Sequence, residues 1–494
     1  MNSTQERKPF FARLVPNWTS LAGAILVGSS WFAFFLLFTL DFFAVVKSPY
    51  LGILTYLVAP FFFLAGALLM LVGKIRYRVH ARHAVPGAPI RSFTIDISQP
   101  RHRKILLGFA FGAAAFLLIT AVGSYETYHV TKSVQFCGQA CHGPMEPQYV
   151  AYQNSPHARV ECTACHIGPQ AESFVKAKFN GLHQVYATAF NDFQRPIQLS
   201  GKIDINQQTC EQCHWPKRHI GNVERSYTHY LADETNTLFG VRLLLKVGGG
   251  DPTHGPAGGI HWHMNLANKI EYIATDEKQQ VIPWVRFTEA NGNVTEYRTA
   301  EFKDDPSQHK IRAMDCMTCH NRPAHHFRAP NDLVDLAMSL GNIDPTIPWI
   351  KSNVVASLIA PRATQSEGVD KIASDLKARY PSTPQIDTVI AAAQDIYKKS
   401  FFPEMKVDWR AYPNNIGHKE WPGCFRCHDG NHKTADGAKK IAASDCNACH
   451  TILAQGNGLE LEKLNPKGHG FFYIDAPNED FSCNNCHTGA FPKE

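Results

Sequence analysis

Three stretches near the N-terminus are apolar almost without interruption: about Ser20–Val46, Leu51–Val72 and Ile105–Val122. Each approaches the ~20 residues that an α-helix needs to cross a bilayer, so the pattern predicts three membrane-spanning helices within residues 1–125. The first stretch is too long for the apolar core of a signal peptide, and no small-residue cleavage site follows it. Asp41 falls near its far end, where a charge is tolerated. Beyond residue 125 the apolar runs shorten. Val281 to Phe287 and Val294 to Tyr297 alternate around Asn291-Gly292, which predicts a β-hairpin. Asn331–Leu340 and Ile386–Lys399 carry apolar positions at helical spacing.

Charge sets an orientation for the three spans. The N-terminus carries Arg7, Lys8 and Arg13, and the first loop only Lys47. The second loop carries Lys74, Arg76, Arg78, Arg82, Arg91, Arg101, Arg103 and Lys104. Short basic loops stay in the cytoplasm. The N-terminus and second loop are therefore expected inside, and everything after about Ser124 outside. No histidine falls within a predicted span, so the membrane segment offers no ligands for a haem inside the bilayer. Its expected role is to anchor the exported part.

The exported part contains all 14 cysteines of the 494-residue chain, in pairs. A histidine follows each pair at once: Cys137/Cys141/His142, Cys162/Cys165/His166, Cys210/Cys213/His214, Cys316/Cys319/His320, Cys424/Cys427/His428, Cys446/Cys449/His450 and Cys483/Cys486/His487. Six have the spacing C-x-x-C-H, the attachment signature of haem c. Two thiols reach two vinyl groups of one porphyrin, and the adjacent imidazole falls beneath the iron. The first pair holds one extra residue, Cys137-Gly138-Gln139-Ala140-Cys141, which has to bulge out of the loop. Disulfides or zinc sites also use paired cysteines, but neither needs a histidine after every pair. With 24 His in the chain, chance would place one there roughly once in twenty tries. The reading is seven covalently bound haem c groups. A net charge of +6 is too modest to suggest a nucleic-acid partner.

Some of these motifs carry a family resemblance. Pro156-His157, Cys162-Thr163-Ala164-Cys165-His166 and Phe174-Val175-Lys176-Ala177-Lys178-Phe179-Asn180-Gly181 resemble the NapC/NirT family of membrane-bound quinol dehydrogenases. So do Cys210 to His214 with Trp215-Pro216, and Cys316 to His320 followed by Asn321-Arg322-Pro323-Ala324-His325. The resemblance covers roughly residues 120–330. The haem total and three spans look like a seven-haem inner-membrane cytochrome type of metal-respiring bacteria. The resemblance implies that Met145 is an axial ligand of the first haem. It implies that His157 ligates the fourth haem and His325 the second. It places Lys178 near a quinol site, able also to ligate the third haem. A family carboxylate close to the first haem has no clear counterpart; His183 and Asp192 are the nearest polar candidates.

Haems that only transfer electrons want two strong axial ligands, so further histidines are expected above the irons. His418 and His432 bracket the fifth motif, and His469 sits between the sixth and seventh. These three join the expected metal ligands. His261 and His263, two apart in a Gly-rich stretch, stay open as ligands or surface residues.

The expected fold class is mainly α with little regular structure. Three N-terminal transmembrane helices precede a haem-packed extracytoplasmic multihaem cytochrome c region with a small β insertion. The expected domains are a membrane anchor over 1–125, a tetrahaem region over 126–335 with an insertion at 215–315, and a trihaem region over 336–494. The function expected is oxidation of membrane quinol, menaquinol by the resemblance, at the outer face of the cytoplasmic (inner) membrane. The electrons would pass through the haems to periplasmic c-type cytochromes. Two alternatives stay open: a passive relay docked to another quinone enzyme, and a terminal reductase with one open haem.

Overall fold

A computed structural model describes residues 15–42, 58–82, 97–140, 142–167, 181, 183–184, 186–198, 207–214, 220–249, 258–264, 268–441 and 446–470. The chain divides into two compact units, Met1–Cys137 with Ile167–Leu182, and Gly138–His166 with His183–Glu494.

The first unit contains helices α1 (Trp18–Phe42), α2 (Ala59–Arg82) and α3 (Pro100–Lys132). Among the described residues two helices, not the expected three, are long and apolar enough to cross a membrane, at Trp18–Phe35 and Ala59–His80. The third expected segment lies inside α3, one continuous helix of 33 residues. Small residues let α1 and α2 approach closely. A Cβ on Gly23 would stand 2.6 Å from the carbonyl oxygen of Gly66, and one on Gly66 would meet Val27 at 2.9 Å. Asn17 ties the other end by donating to the Gly73 carbonyl at 2.7 Å. Close backbone approach is how helices associate where no hydrophobic force acts between them. Phe32, Phe61, Leu64 and Leu68 point away from this contact and stand exposed, as lipid-facing side chains do.

The second unit opens with α4 (His142–Gln153) and two short helices, α5 (Cys162–His166) and α6 (Gln207–Glu211). A three-stranded antiparallel sheet follows, in the order β1-β2-β7. Its strands are β1 (Val223–Tyr230), β2 (Leu238–Leu245) and β7 (His450–Gly456). A four-stranded sheet has the order β5-β4-β3-β6. It is built from β3 (Lys269–Ile273), β4 (Trp284–Thr288), β5 (Val294–Arg298) and β6 (Ile311–Ala313). The expected hairpin is its β4–β5 pair, with Trp284 opposite Arg298 and Thr288 opposite Val294. Gly292 takes a φ of 87° in the turn, which a glycine adopts freely. Along β3 and β4 alternate residues serve two cores, one around Ile270, Tyr272 and Val285, the other around Ile273 and Trp284.

Helices α7 (Cys316–Cys319), α8 (Pro330–Ser339), α9 (Ile350–Ile359), α10 (Gln365–Arg379) and α11 (Ile386–Ser400) complete the unit. The two helices expected from apolar spacing are α8 and α11. On α11, Ile386, Val389, Ile390, Ala393 and Tyr397 form a buried stripe at helical spacing. Thr364 caps α10 by accepting from the Glu367 amide. Val334, Ile350, Val354, Leu358, Ile372 and Leu376 fill the space between the four helices. Each fully buried aliphatic side chain there contributes about 1.5–3 kcal/mol. Regular structure is thus more extensive than expected, with a helical core and, among the described residues, seven strands where a small β insertion was foreseen.

Candidate functional site

Each described cysteine motif sits on a helical turn, and the turn explains the spacing. Positions i, i+3 and i+4 of a helix share one face, so C-x-x-C-H presents two thiols and an imidazole together. The His214 amide donates to the Cys210 carbonyl at 2.8 Å, His320 to Cys316 at 2.8 Å, and His428 to Cys424 at 3.0 Å. Each bond closes one turn from first cysteine to histidine. Asp315 caps the α7 motif, accepting from the Thr318 amide while the Thr318 hydroxyl accepts from the Asp315 amide. The extra residue of the first motif has a place too. Phe136–Ala140 is a π-helical turn, the form that holds one more residue per turn than an α-helix. Met145 lies just after it on α4, half-buried.

Five motif histidines face a second histidine. Ring centroids are 6.1 Å apart for His214 and His157, 6.1 Å for His166 and His325, and 6.2 Å for His320 and His261. They are 5.8 Å apart for His428 and His263, and 6.2 Å for His450 and His418. Two imidazoles bound to one metal through nitrogens about 2 Å from it stand with ring centres roughly 6 Å apart. The residues present therefore fit a haem iron between each pair.

Hydrogen bonds prepare three of the non-motif rings for that role. Nδ1 of His157 lies 3.1 Å from the Pro323 carbonyl, Nδ1 of His325 3.0 Å from that of Gln148, and Nδ1 of His263 2.8 Å from that of Ile260. A carbonyl only accepts, so each Nδ1 carries the proton and Nε2 keeps its lone pair for a metal. Burial lowers the pKa of His166, His261, His263, His320, His418 and His450, and takes His325 down to about 4. These imidazoles are neutral at physiological pH, the form that ligates.

Three placements were not expected from the sequence. His157 faces His214 of the third motif rather than His320 of the fourth. His418, expected as a ligand with no motif assigned to it, faces the sixth motif. His432 is fully buried, with Nδ1 at 2.8 Å from Asp429 Oδ1 and Nε2 at 2.7 Å from the Ile282 carbonyl. Both nitrogens thus face protein acceptors, as in a core histidine. His261 and His263, left open by the sequence, both meet a motif histidine. The signal in the sequence was their spacing on either side of Trp262. His469 is exposed, its amide bonded to the Ile452 carbonyl. His183 and Asp192 are exposed as well. Cys141, Lys178, Cys483, Cys486 and His487 lie outside the described residues, as do the side chains of His142 and Cys446.

One further group of metal-ligating types, His229, Asp332 and Asp335, gathers its donor atoms within 4.8 Å. Lysines already neutralise it. Lys351 Nζ is 2.6 Å from Asp335 Oδ1, and Lys419 pairs with Asp332.

Residues 99–208 match the N-terminal region of the NapC/NirT cytochrome c family. The chain is 37% identical over 459 residues to the cytochrome c-type protein ImcH of Geobacter sulfurreducens, covering 90% of each. It is 28% identical over 129 residues to the cytochrome c-type protein TorC of Escherichia coli K12, covering 22% of this chain and 31% of that one. No solved structure matches the chain. The likeness to ImcH, along nearly all of both chains, is to the inner-membrane cytochrome type expected from the motifs. The chain belongs to the NapC/NirT cytochrome c family, as a membrane-anchored electron-transfer protein that carries covalently bound haem.

Proposed function

We propose that this protein oxidises membrane quinol, menaquinol by the family resemblance, and hands the electrons through seven haems to periplasmic c-type cytochromes. The observation that carries the reading is the pairing of histidines at five motifs. A terminal reductase keeps a coordination position open for its oxidant. Here His157, His325 and His418 would fill that position at the third, second and sixth motifs, which suits outer-sphere electron transfer. Bound haem supplies reversible one-electron chemistry. The protein orients the ligand rings through the Nδ1 bonds to Pro323 and Gln148.

The anchor in this reading has three spans, the third being Ile105–Val122 within α3. Leu107, Phe111 and Leu118 stand exposed there, ready to face lipid. The basic second loop places the N-terminus in the cytoplasm and the haem-bearing part outside. The first and seventh motifs complete the count of seven, with Met145 as axial ligand at the first and His469 as a ligand within the C-terminal group. Every cysteine is then used. Intact denatured mass should exceed the polypeptide by seven haem masses; a value of six would empty the Cys137/Cys141 site.

Quinol cannot leave the bilayer surface, so its site belongs beside the first motif, which begins close after α3. Quinol oxidation releases two protons with its two electrons, and a cation beside the quinol oxygen stabilises the charge left as protons depart. We assign that role to Lys178, on the family resemblance. Lys178→Leu is expected to slow menaquinol-driven haem reduction by about tenfold or more, about 1.4 kcal/mol in barrier, while dithionite still reduces every haem. The control is the unmodified protein with and without a quinone-site inhibitor. If it shows no inhibitor-sensitive reduction at all, the protein is a relay fed by another quinone enzyme.

A further inference from the structure

We propose that the His261-Trp262-His263 turn is a double ligand clip. His261 supplies the sixth ligand to the haem at Cys316/Cys319/His320, and His263 the sixth ligand to the haem at Cys424/Cys427/His428. One turn thereby joins the last haem of the tetrahaem region to the first of the C-terminal group. The inference rests on the reading of these motifs as haem attachment sites, and not on quinol as the donor.

The geometry of the turn makes this possible. Ile260–Met264 is a 3₁₀-helix, with about three residues per turn, so side chains two apart diverge by roughly 120°. His261 and His263 therefore cannot share one iron, and each reaches a different motif histidine, at 6.2 Å and 5.8 Å. Trp262 between them packs on Phe287 of β4, ring centroids 5.4 Å apart. The clip is held at its core by the four-stranded sheet while its two histidines face outward to different sites.

The backbone around the turn is fixed as tightly. The Ile260 amide donates to the Lys246 carbonyl at 2.8 Å, and the His261 amide to that of Val247 at 2.9 Å, just past the end of β2. Gly248 and Gly259 have φ values of 66° and 69°. A Cβ on Gly248 would lie 1.8 Å from the Gly258 carbonyl oxygen, and one on Gly259 2.4 Å from that of Lys246. Only glycine allows this approach, which explains the Gly-rich approach to the turn. The Lys246 amide donates in turn to the Cys449 carbonyl at 2.9 Å, and Leu245 pairs with His450 across the sheet. The base of the clip thus also touches the sixth motif. Two residues of backbone extend at most about 7 Å, so two sites ligated from one short turn are held close to each other. Close, fixed spacing is what an electron path between the two haem groups requires.

The test reads spin state in the full-length, haem-loaded protein by EPR and near-infrared absorption, with no quinol present. His261→Gly and His263→Gly are each expected to turn one low-spin haem high-spin, and the double variant two. The ring planes meet at 37° at the fourth motif and 86° at the fifth, so the two variants should remove different low-spin signals. Exogenous imidazole should restore each. If either variant keeps its full low-spin complement, or both remove the same signal, the clip is overturned. Should a glycine variant fail to accumulate with haem, His261→Met and His263→Met are read in its place. Each must then show the sulfur-to-iron charge-transfer band of a methionine-ligated haem, and its absence overturns the assignment. An unaltered spin state in these variants with quinol activity intact would sink the clip alone. Spin changes as expected, in variants of a parent that shows no inhibitor-sensitive quinol reduction, would sink only the donor.

Discussion

Replacing His157 with glycine is expected to turn one haem from low to high spin, and that haem is the one at Cys210 and Cys213. Family resemblance points instead to the haem at Cys316 and Cys319, so the variant separates two specific assignments. His157 and His214 rings stand 6.1 Å apart. Nδ1 of His157 is committed to the Pro323 carbonyl, which leaves Nε2 pointing away from that bond and towards the gap. His320 meets His261 at the same spacing, so the fourth site already has its partner. The loop that carries His157 is itself well held. Tyr152 donates to the carbonyls of Ala158 at 2.7 Å and Val160 at 2.9 Å, closing the chain around it. Glycine at 157 should therefore remove the ligand without moving the loop. Exogenous imidazole should restore the low-spin state. The assignment is checked in a background where Cys210 and Cys213 are both serine, so that the third haem cannot attach. There His157→Gly should create no high-spin signal. A signal that persists in this background returns His157 to the fourth haem.

The sequence disclosed what is local. A C-x-x-C-H turn is complete within five residues, so the turn that brings two thiols and an imidazole together reads directly. The Asn291-Gly292 hairpin and helices α8 and α11 are likewise set by adjacent residues and by apolar spacing. The sixth ligands are different, because they are properties of approach between distant segments. His157 lies close to His166 in sequence but faces His214. His418 precedes the fifth motif but faces the sixth. No periodicity encodes which motif a histidine will meet. His432 shows the converse: it sits beside the fifth motif as a ligand would, yet Asp429 and the Ile282 carbonyl take both its nitrogens.

The three-stranded sheet was hidden for the same reason. Strand β7 begins at His450, a motif histidine, and pairs with β2 about two hundred residues earlier. Residues read only as haem attachment thus double as a strand. The register of that pair, Leu245 against His450, carries the sixth motif to the base of the His261–His263 turn. The helical core was legible only in its parts. Apolar spacing marked α8 and α11, but only their packing with α9 and α10 shows one core, in which aliphatic side chains close around Tyr397, Phe401 and Trp409.

Asp335→Leu is expected to destabilise the haem-bearing unit by about 3–5 kcal/mol, the cost of leaving a buried charge without its partner. Asp335 on α8 is 3% exposed and Lys351 on α9 7%. Lys351 Nζ lies 2.6 Å from Asp335 Oδ1 and also donates to the Tyr230 carbonyl. The carboxylate accepts further from the Tyr230 amide at 3.1 Å and faces His229 Nδ1 at 3.1 Å. Both of those residues end strand β1, so one buried ion pair fastens the three-stranded sheet to the helical core. Burial pushes the Lys351 ammonium towards its neutral form, and Asp335 opposes that shift. Without Asp335 the ammonium either stays charged and unpaired or gives up its proton, and both cost stability. Removing the charge at both ends is far milder, because an apolar pair of similar volume needs no compensation. Asp335→Leu with Lys351→Met should therefore recover most of the loss. Urea denaturation followed by far-UV circular dichroism gives the comparison. The sheet that this pair fastens also holds β7 and the base of the histidine turn. The single variant should accordingly lose low-spin absorption at the fourth to sixth motifs earlier in the titration than at the second and third. A single variant within about 0.5 kcal/mol of the parent, the range of ordinary surface changes, would show that the ion pair does not secure the sheet.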